Sequence, residues 1–188
     1  LLTYCTGSST QALLKVAVIR AVKSSIITPV VMMSVRTLSL LLPMVFALHV
    51  AEEAPFFVGW FNARVTPQIT QGSFVAVNGV AFLITVCVAA LLSKSRGVPE
   101  GLFAAAWVGF LMLANGLFHL VANIADGSYC PGVLTGTFLY LPLSILFLKS
   151  VAREAQTSPF MVAAAAIAGG VPMGIHGYLI VFSGSRLF

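Results

Sequence analysis

Residues 38–61 read LSLLLPMVFALHVAEEAPFFVGWF, an apolar run interrupted near its end by His49, Glu52 and Glu53. A helix needs about 20 apolar residues to cross a bilayer, and this is the first stretch of the chain that offers them. The rest of the chain has the same character. Of 188 residues, 59% are hydrophobic and only 8% are charged, and the mean hydropathy is +1.02. A soluble domain carries about 25% charged residues, so the chain reads as one integral membrane domain.

Five spans are expected, at roughly 37–54, 74–93, 102–125, 133–149 and 160–182, with Pro43 kinking the first. No stretch alternates with period two for long enough to suggest a barrel. The expected fold is therefore all-α, a polytopic five-helix transmembrane bundle over residues 36–188. Residues 1–35 are less apolar and hold Lys15, Arg20 and Lys23 without an acid. They fit a basic interfacial helix, a leader, or residues upstream of a true start at Met32 or Met33. A peripheral or dispensable segment is the preferred reading.

The basic residues form no patch, so the net charge of +5 does not point to nucleic acid. They act as topology signals instead. Lys15, Arg20, Lys23, Arg36, Lys94, Arg96, Lys149 and Arg153 fall on the side of the N-terminus, against Arg64 and Arg186 on the other. The positive-inside rule then puts the N-terminus inside, and it does so even without the first three. The three cysteines, Cys5, Cys87 and Cys130, show no CxxC spacing and suggest neither a disulfide framework nor a zinc ribbon.

In this orientation all three histidines of the chain, His49, His119 and His176, fall within spans and in their outer halves. Asn78 opens the second span at that depth, and Thr135 and Tyr140 do the same in the fourth. His49, Glu52 and Glu53 cover an arc of roughly 100°, and His49 stacks on Glu53 at i, i+4. On the third span Asn115, His119, Asn123 and Asp126 lie within an arc of roughly 80°. Lipid cannot satisfy such a stripe, which must face protein or a cavity. Gly170, Gly174 and Gly177 give the fifth span a small-residue face, and Pro172 frees a carbonyl one turn earlier. Both features are expected to bring His176 towards the layer.

Three imidazoles and two or three carboxylates suit zinc, iron or manganese, with zinc or iron preferred. The expected ligands are His49, Glu53, His119 and His176, with Glu52 moving a proton, and the spacing also admits the reverse assignment of the two glutamates. Asn78, Asn115, Asn123 and Asp126 are expected to support them.

Three short motifs, HVAEE at 49–53, the later His119 and YCPG at 129–132, together resemble the HXXEE-domain membrane proteins, over roughly residues 37–182. The resemblance implies a small polytopic membrane domain and singles out His49, Glu52, Glu53, His119, Tyr129, Pro131 and Gly132, without supplying a reaction. His176 lies outside the motifs. In YCPG, Pro131 fixes φ and Gly132 admits a turn closed to other residues. The short connection from Asp126 to Gly132 is expected to be a tight hairpin that hangs Tyr129 over the site, where its hydroxyl could donate to a substrate oxygen. Phe56, Phe57, Trp60 and Phe61 make one aromatic face if helical, which reads as an interfacial anchor.

The leading expectation is a metal-dependent membrane enzyme, hydrolytic or oxidative, acting on a lipid-like or small apolar substrate. A small ion or solute carrier and a scaffold with a structural polar layer are the alternatives. The expected location is a bacterial cytoplasmic membrane, with the site towards the outer leaflet. No phosphate loop, dinucleotide fingerprint, nucleophile elbow or metalloprotease motif is present.

Overall fold

The computed structural model describes residues 33–66, 68–94 and 98–186. The basic segment read at 1–35 falls almost wholly outside the described residues. Those described are helical, with no strand among them, and five helices are long and apolar enough to cross a membrane. In chain order the elements are α1 (Val35–Glu53), the short α2 (Phe57–Asn62), α3 (Gln71–Lys94), α4 (Pro99–Asp126), α5 (Val133–Val151) and α6 (Pro159–Ser183).

Helix ends follow local chemistry. The Ser34 hydroxyl accepts from the Thr37 amide at the start of α1, and the Ser158 hydroxyl accepts from the Met161 amide at the start of α6. Pro99 and Pro159 occupy first-turn positions, where a missing N–H costs nothing. Gly127 closes α4 in the left-handed region, at φ 62°.

Three inner prolines set the irregularities. A proline clashes with the carbonyl four residues back and leaves it without a donor. For Pro43 that carbonyl belongs to Ser39, and α1 breaks there, into Val35–Ser39 and Leu42–Glu53. For Pro142 it belongs to Phe138, and α5 widens into a π turn over Gly136–Tyr140. For Pro172 it belongs to Ala168, inside a second π turn over Ala166–Gly170. The expected kink at Pro43 is present.

The π turn in α6 corrects one expectation. The small-residue face that meets α4 uses Gly169, Gly170 and Gly177 and leaves out Gly174. A Cβ on Gly169 would lie 2.6 Å from the Trp107 carbonyl oxygen, and one on Gly177 would lie 2.8 Å from the Phe118 ring. Gly174 faces open space. The widened turn shifts the helical phase, which uniform 100° steps do not anticipate.

The interior has two apolar clusters. The larger joins α1, α3, α4, α5 and α6 through residues such as Leu42, Leu92, Ala105, Phe147 and Ala165. The smaller joins Trp60, Phe61 and Val65 to Phe118, Ala122, Cys130, Val133 and Ile180. The aromatic segment is therefore not simply an interfacial anchor. Phe56 stays exposed, but Trp60 and Phe61 are buried. Arg64 holds them in place by stacking on Trp60 with its guanidinium 4.2 Å from the ring centroid. It also donates to the Trp60 carbonyl and pairs with Asp126. By contrast α3 is the least buried span, with Val77, Leu83 and Leu91 exposed as lipid-facing residues would be. Cys87 is exposed on the same helix.

Candidate metal centre

The two clusters meet at a polar seam. His49 and Glu53 stand one turn apart on α1, and α4 brings His119 against them. All three are buried, at 3%, 7% and 1% exposure. The His119 Nε2 lies 3.3 Å from Glu53 Oε1, and the His49 Nε2 lies 3.6 Å from the same oxygen. One ligand atom from each residue falls within 4.8 Å of the others. A tetrahedral ion with bonds of about 2.0–2.1 Å holds its ligand atoms about 3.3–3.4 Å apart, and the two spacings from Glu53 Oε1 to the imidazoles lie close to that. Neither Nε2 has a hydrogen-bond partner. Buried polar atoms are nearly always satisfied, so two orphans converging on one carboxylate call for a ligand.

The other nitrogen of each ring explains why Nε2 is left bare. His49 Nδ1 lies 2.7 Å from Thr135 Oγ1. That hydroxyl has one proton, which it donates to the Glu52 carboxylate. It must therefore accept from His49, which places the imidazole proton on Nδ1 and a lone pair on Nε2. On His119, Nδ1 faces the 130–132 turn, 3.5 Å from Cys130 Sγ, and the thiol is itself within reach of the Pro131 carbonyl at 3.7 Å. With the thiol proton on that carbonyl, Sγ accepts from Nδ1 and the His119 proton is turned away from Glu53. Each imidazole then has an acceptor behind it, the arrangement usual behind a metal-binding histidine. Tyr140 stacks on His49 with ring centroids 4.3 Å apart, and Phe118 tilts against His119 at 4.7 Å. These rings pack both imidazoles into the interior of the bundle.

Glu52 does different work. Its Oε1 accepts from the Tyr129 hydroxyl at 2.7 Å and the Leu134 amide at 2.9 Å, and its Oε2 from the Thr135 amide at 2.7 Å and the Thr135 hydroxyl. Gly132 offers no side chain to cap α5. A carboxylate from α1 fills that place, where free N–H groups and the helix dipole favour negative charge. The hairpin is held from both sides, since the Cys130 amide donates to Asn123 Oδ1 at 3.2 Å. Desolvation, then the hydrogen bond and charge of Glu52, push the Tyr129 hydroxyl up to about 12. Desolvation, with Glu53 next, does the same to the Cys130 thiol. Both shifts favour the protonated form, which leaves the Tyr129 hydroxyl as a donor to Glu52.

Gly132 is required twice. Its φ of 92° is closed to most L residues. A Cβ there would also lie 2.6 Å from His119 Cε1 and 2.9 Å from His49 Cε1. The turn backbone is pressed flat against both imidazoles.

The family described as "Protein of unknown function with HXXEE motif" matches residues 40–147, a range that takes in His49, Glu52, Glu53, His119 and the YCPG turn. The chain belongs to the HXXEE family. No curated protein and no solved structure matches it. In this HXXEE chain the motif divides its labour. The histidine and the second glutamate face the prospective ion, and the first glutamate clamps the hairpin that carries the YxPG residues.

The remaining expected site residues of the HXXEE chain lie apart from this group. His176 does not join it. α6 packs on α4 with Gly177 against Phe118, which turns His176 about 100° away from the neighbour of His119. It lines a separate cavity of about 500 Å³ with Phe57, Phe61, Asn78 and Arg186. Asn78 donates to the Phe74 carbonyl of its own helix. Asn115 borders another cavity, and Asp126 is paired with Arg64. Pro131 and Gly132 form the turn as expected. Sequence reasoning placed Thr135 and Tyr140 in the layer without a role and passed over Cys130. The signal for Thr135 was its position three residues past a turn glycine, where a helix presents free amides.

Proposed function

We propose that this HXXEE protein is a metal-dependent membrane enzyme that activates water on a divalent ion held by His49, His119 and Glu53. The observation that carries this reading is the pair of buried, unpartnered Nε2 atoms facing one carboxylate oxygen. Three protein ligands leave a tetrahedral ion one open position, the mark of catalytic rather than structural zinc sites. An ion so held would lower the pKa of bound water to about 7 and polarise a carbonyl. Tyr129 and Glu52 fix the hairpin that roofs the site, and Tyr140 and Phe118 pack against its imidazoles. With lipid on every side, a lipid-like or small apolar substrate is the natural one.

Two histidines and one carboxylate are also the donor set of non-haem iron oxygenases, which favours oxidation as the second reading. The excess of Lys and Arg on one set of loops supports an N-terminus inside a bacterial cytoplasmic membrane and a site towards the outer leaflet.

The test is elemental analysis of purified protein offered zinc, iron and manganese. The expected result is about one ion per chain, lost in His119→Ala and Glu53→Gln, with the retained metal choosing between hydrolysis and oxidation. Absence of stoichiometric metal, together with unimpaired folding of His49→Ala and His119→Ala, would leave a structural polar layer and remove the enzyme reading.

A further inference from the structure

A cavity of about 360 Å³ lies directly below the seam. Its position follows from helical periodicity. Phe46 and Leu42 line it one and two turns down α1 from His49, and Asn115 and Leu111 line it one and two turns down α4 from His119. Tyr140 forms part of its wall and stacks on His49 with its ring. The cavity therefore continues both ligand-bearing faces, with one aromatic ring between it and the cluster.

Its lining selects the occupant. The walls are aliphatic and aromatic, and no charged side chain borders them. The Thr85 hydroxyl has its proton committed to the Ala81 carbonyl. Asn115 Oδ1 is buried and has no hydrogen-bond partner. Most of the wall is hydrocarbon, and its few polar groups, on Thr85, Trp107, Asn115 and Tyr140, are spread along it, so water would lack partners over most of the cavity. A hydrocarbon does fit, provided it brings one donor for Asn115. Charge is excluded, because nothing in the wall could balance it. Entry is available from the bilayer, since Val77 and Ile84 on the α3 side are exposed.

Length can be read from the helices. The α3 wall runs from Val77 to Val88, ~16 Å at the helical rise. A C–C bond of about 1.52 Å at an angle of about 111° advances about 1.25 Å along an extended chain, so a chain of about a dozen carbons with its head group fills it. Asn115 and Trp107, both on α4 and both in the lining, are ~12 Å apart along the axis.

We propose that this cavity binds a single alkyl chain of about a dozen carbons whose neutral O–H or N–H head is taken up by Asn115 and presented to the His49–Glu53–His119 cluster. Presentation to the cluster rests on the metal-centre reading; binding of the chain does not.

Trp107 provides the measurement. The chain has two tryptophans, so Trp60→Phe leaves Trp107 as the only one. In phosphatidylcholine nanodiscs, ω-bromododecanol is titrated and quenching of Trp107 is followed, with bromododecane as the control lacking a donor. With the head at Asn115, the bromine reaches Trp107. The expected result is saturable quenching by the alcohol, about tenfold tighter than by the bromoalkane. Asn115→Leu removes that difference, while Ala81→Phe and Val88→Phe, which fill the cavity from within its α3 wall and from one end, abolish saturation. Quenching that rises linearly and equally in all variants means simple partition into the bilayer and overturns the proposal. Equal affinity for alcohol and bromoalkane overturns the role of Asn115. The titration needs no metal. Chain binding beside a cluster that holds no ion refutes only the metal centre, and an ion beside an unquenched Trp107 refutes only the chain site.

Discussion

Gly132→Ala is expected to lose both the hairpin and the site. The residue sits at φ 92°, where a side chain costs roughly 1–2 kcal/mol. The new methyl would also occupy the volume of the His119 and His49 ring edges. Neither ring can retreat, because Tyr140 stacks on one and Phe118 packs against the other. Overpacking of that kind costs about 1–3 kcal/mol, so the total is about 2–5 kcal/mol. Thermal unfolding in detergent should show a drop of many degrees, and any folded fraction should retain no metal. Gly127→Ala serves as the comparison. It shares a positive φ but has nothing within 4 Å of its missing Cβ, so only the backbone term remains and the metal stays.

Glu52→Gln carries the second large effect, and it is not a conservative change. Four donors converge on the carboxylate, and an amide has one oxygen with which to meet them. Its NH₂ group would face a donor. Hydrogen bonds to a charged group are worth about 1.5–3 kcal/mol each, reduced here because Tyr129 is half exposed and can turn to water. A loss of about 2–4 kcal/mol is expected. The metal should weaken as well. With Glu52 altered, the Thr135 hydroxyl no longer has a fixed acceptor, and the proton position on His49 is no longer imposed. Loss of an orienting partner behind a ligand typically costs about 10–100-fold in metal affinity. Thr135→Val isolates that part, since it breaks the link to His49 but leaves Glu52 on the Leu134 and Thr135 amides and on Tyr129. Competitive titration with a chelator should place Thr135→Val within that range, at a smaller cost in thermal stability than Glu52→Gln.

Much of the bundle was legible in the sequence because bilayer thickness fixes span length and composition marks the ends. Pro43 announced its break by the same steric rule that the structure obeys. The pairing of His49 with Glu53 was legible as well, because both lie on one helix at a fixed spacing. Its meeting with His119 was suggested by shared depth and by the motif trio, neither of which fixes a contact. What stayed hidden depended on contacts between helices. His176 has the right depth but the wrong side of the bundle, and depth alone carries no azimuth. The π turn that re-phases α6 arises from Pro172 together with close packing on Trp107, and no periodicity count contains it. Glu52 and Glu53 are adjacent in sequence, so only the position of α5 could show that one clamps a helix end while the other faces the histidines.

X-ray absorption on the metal-loaded protein tests the central claim most directly. The account predicts an edge and fine structure with two imidazole nitrogens and carboxylate oxygen at about 2.0–2.2 Å, with one imidazole lost in His119→Ala. A spectrum with oxygen neighbours only, or one that His119→Ala leaves unchanged, would contradict it.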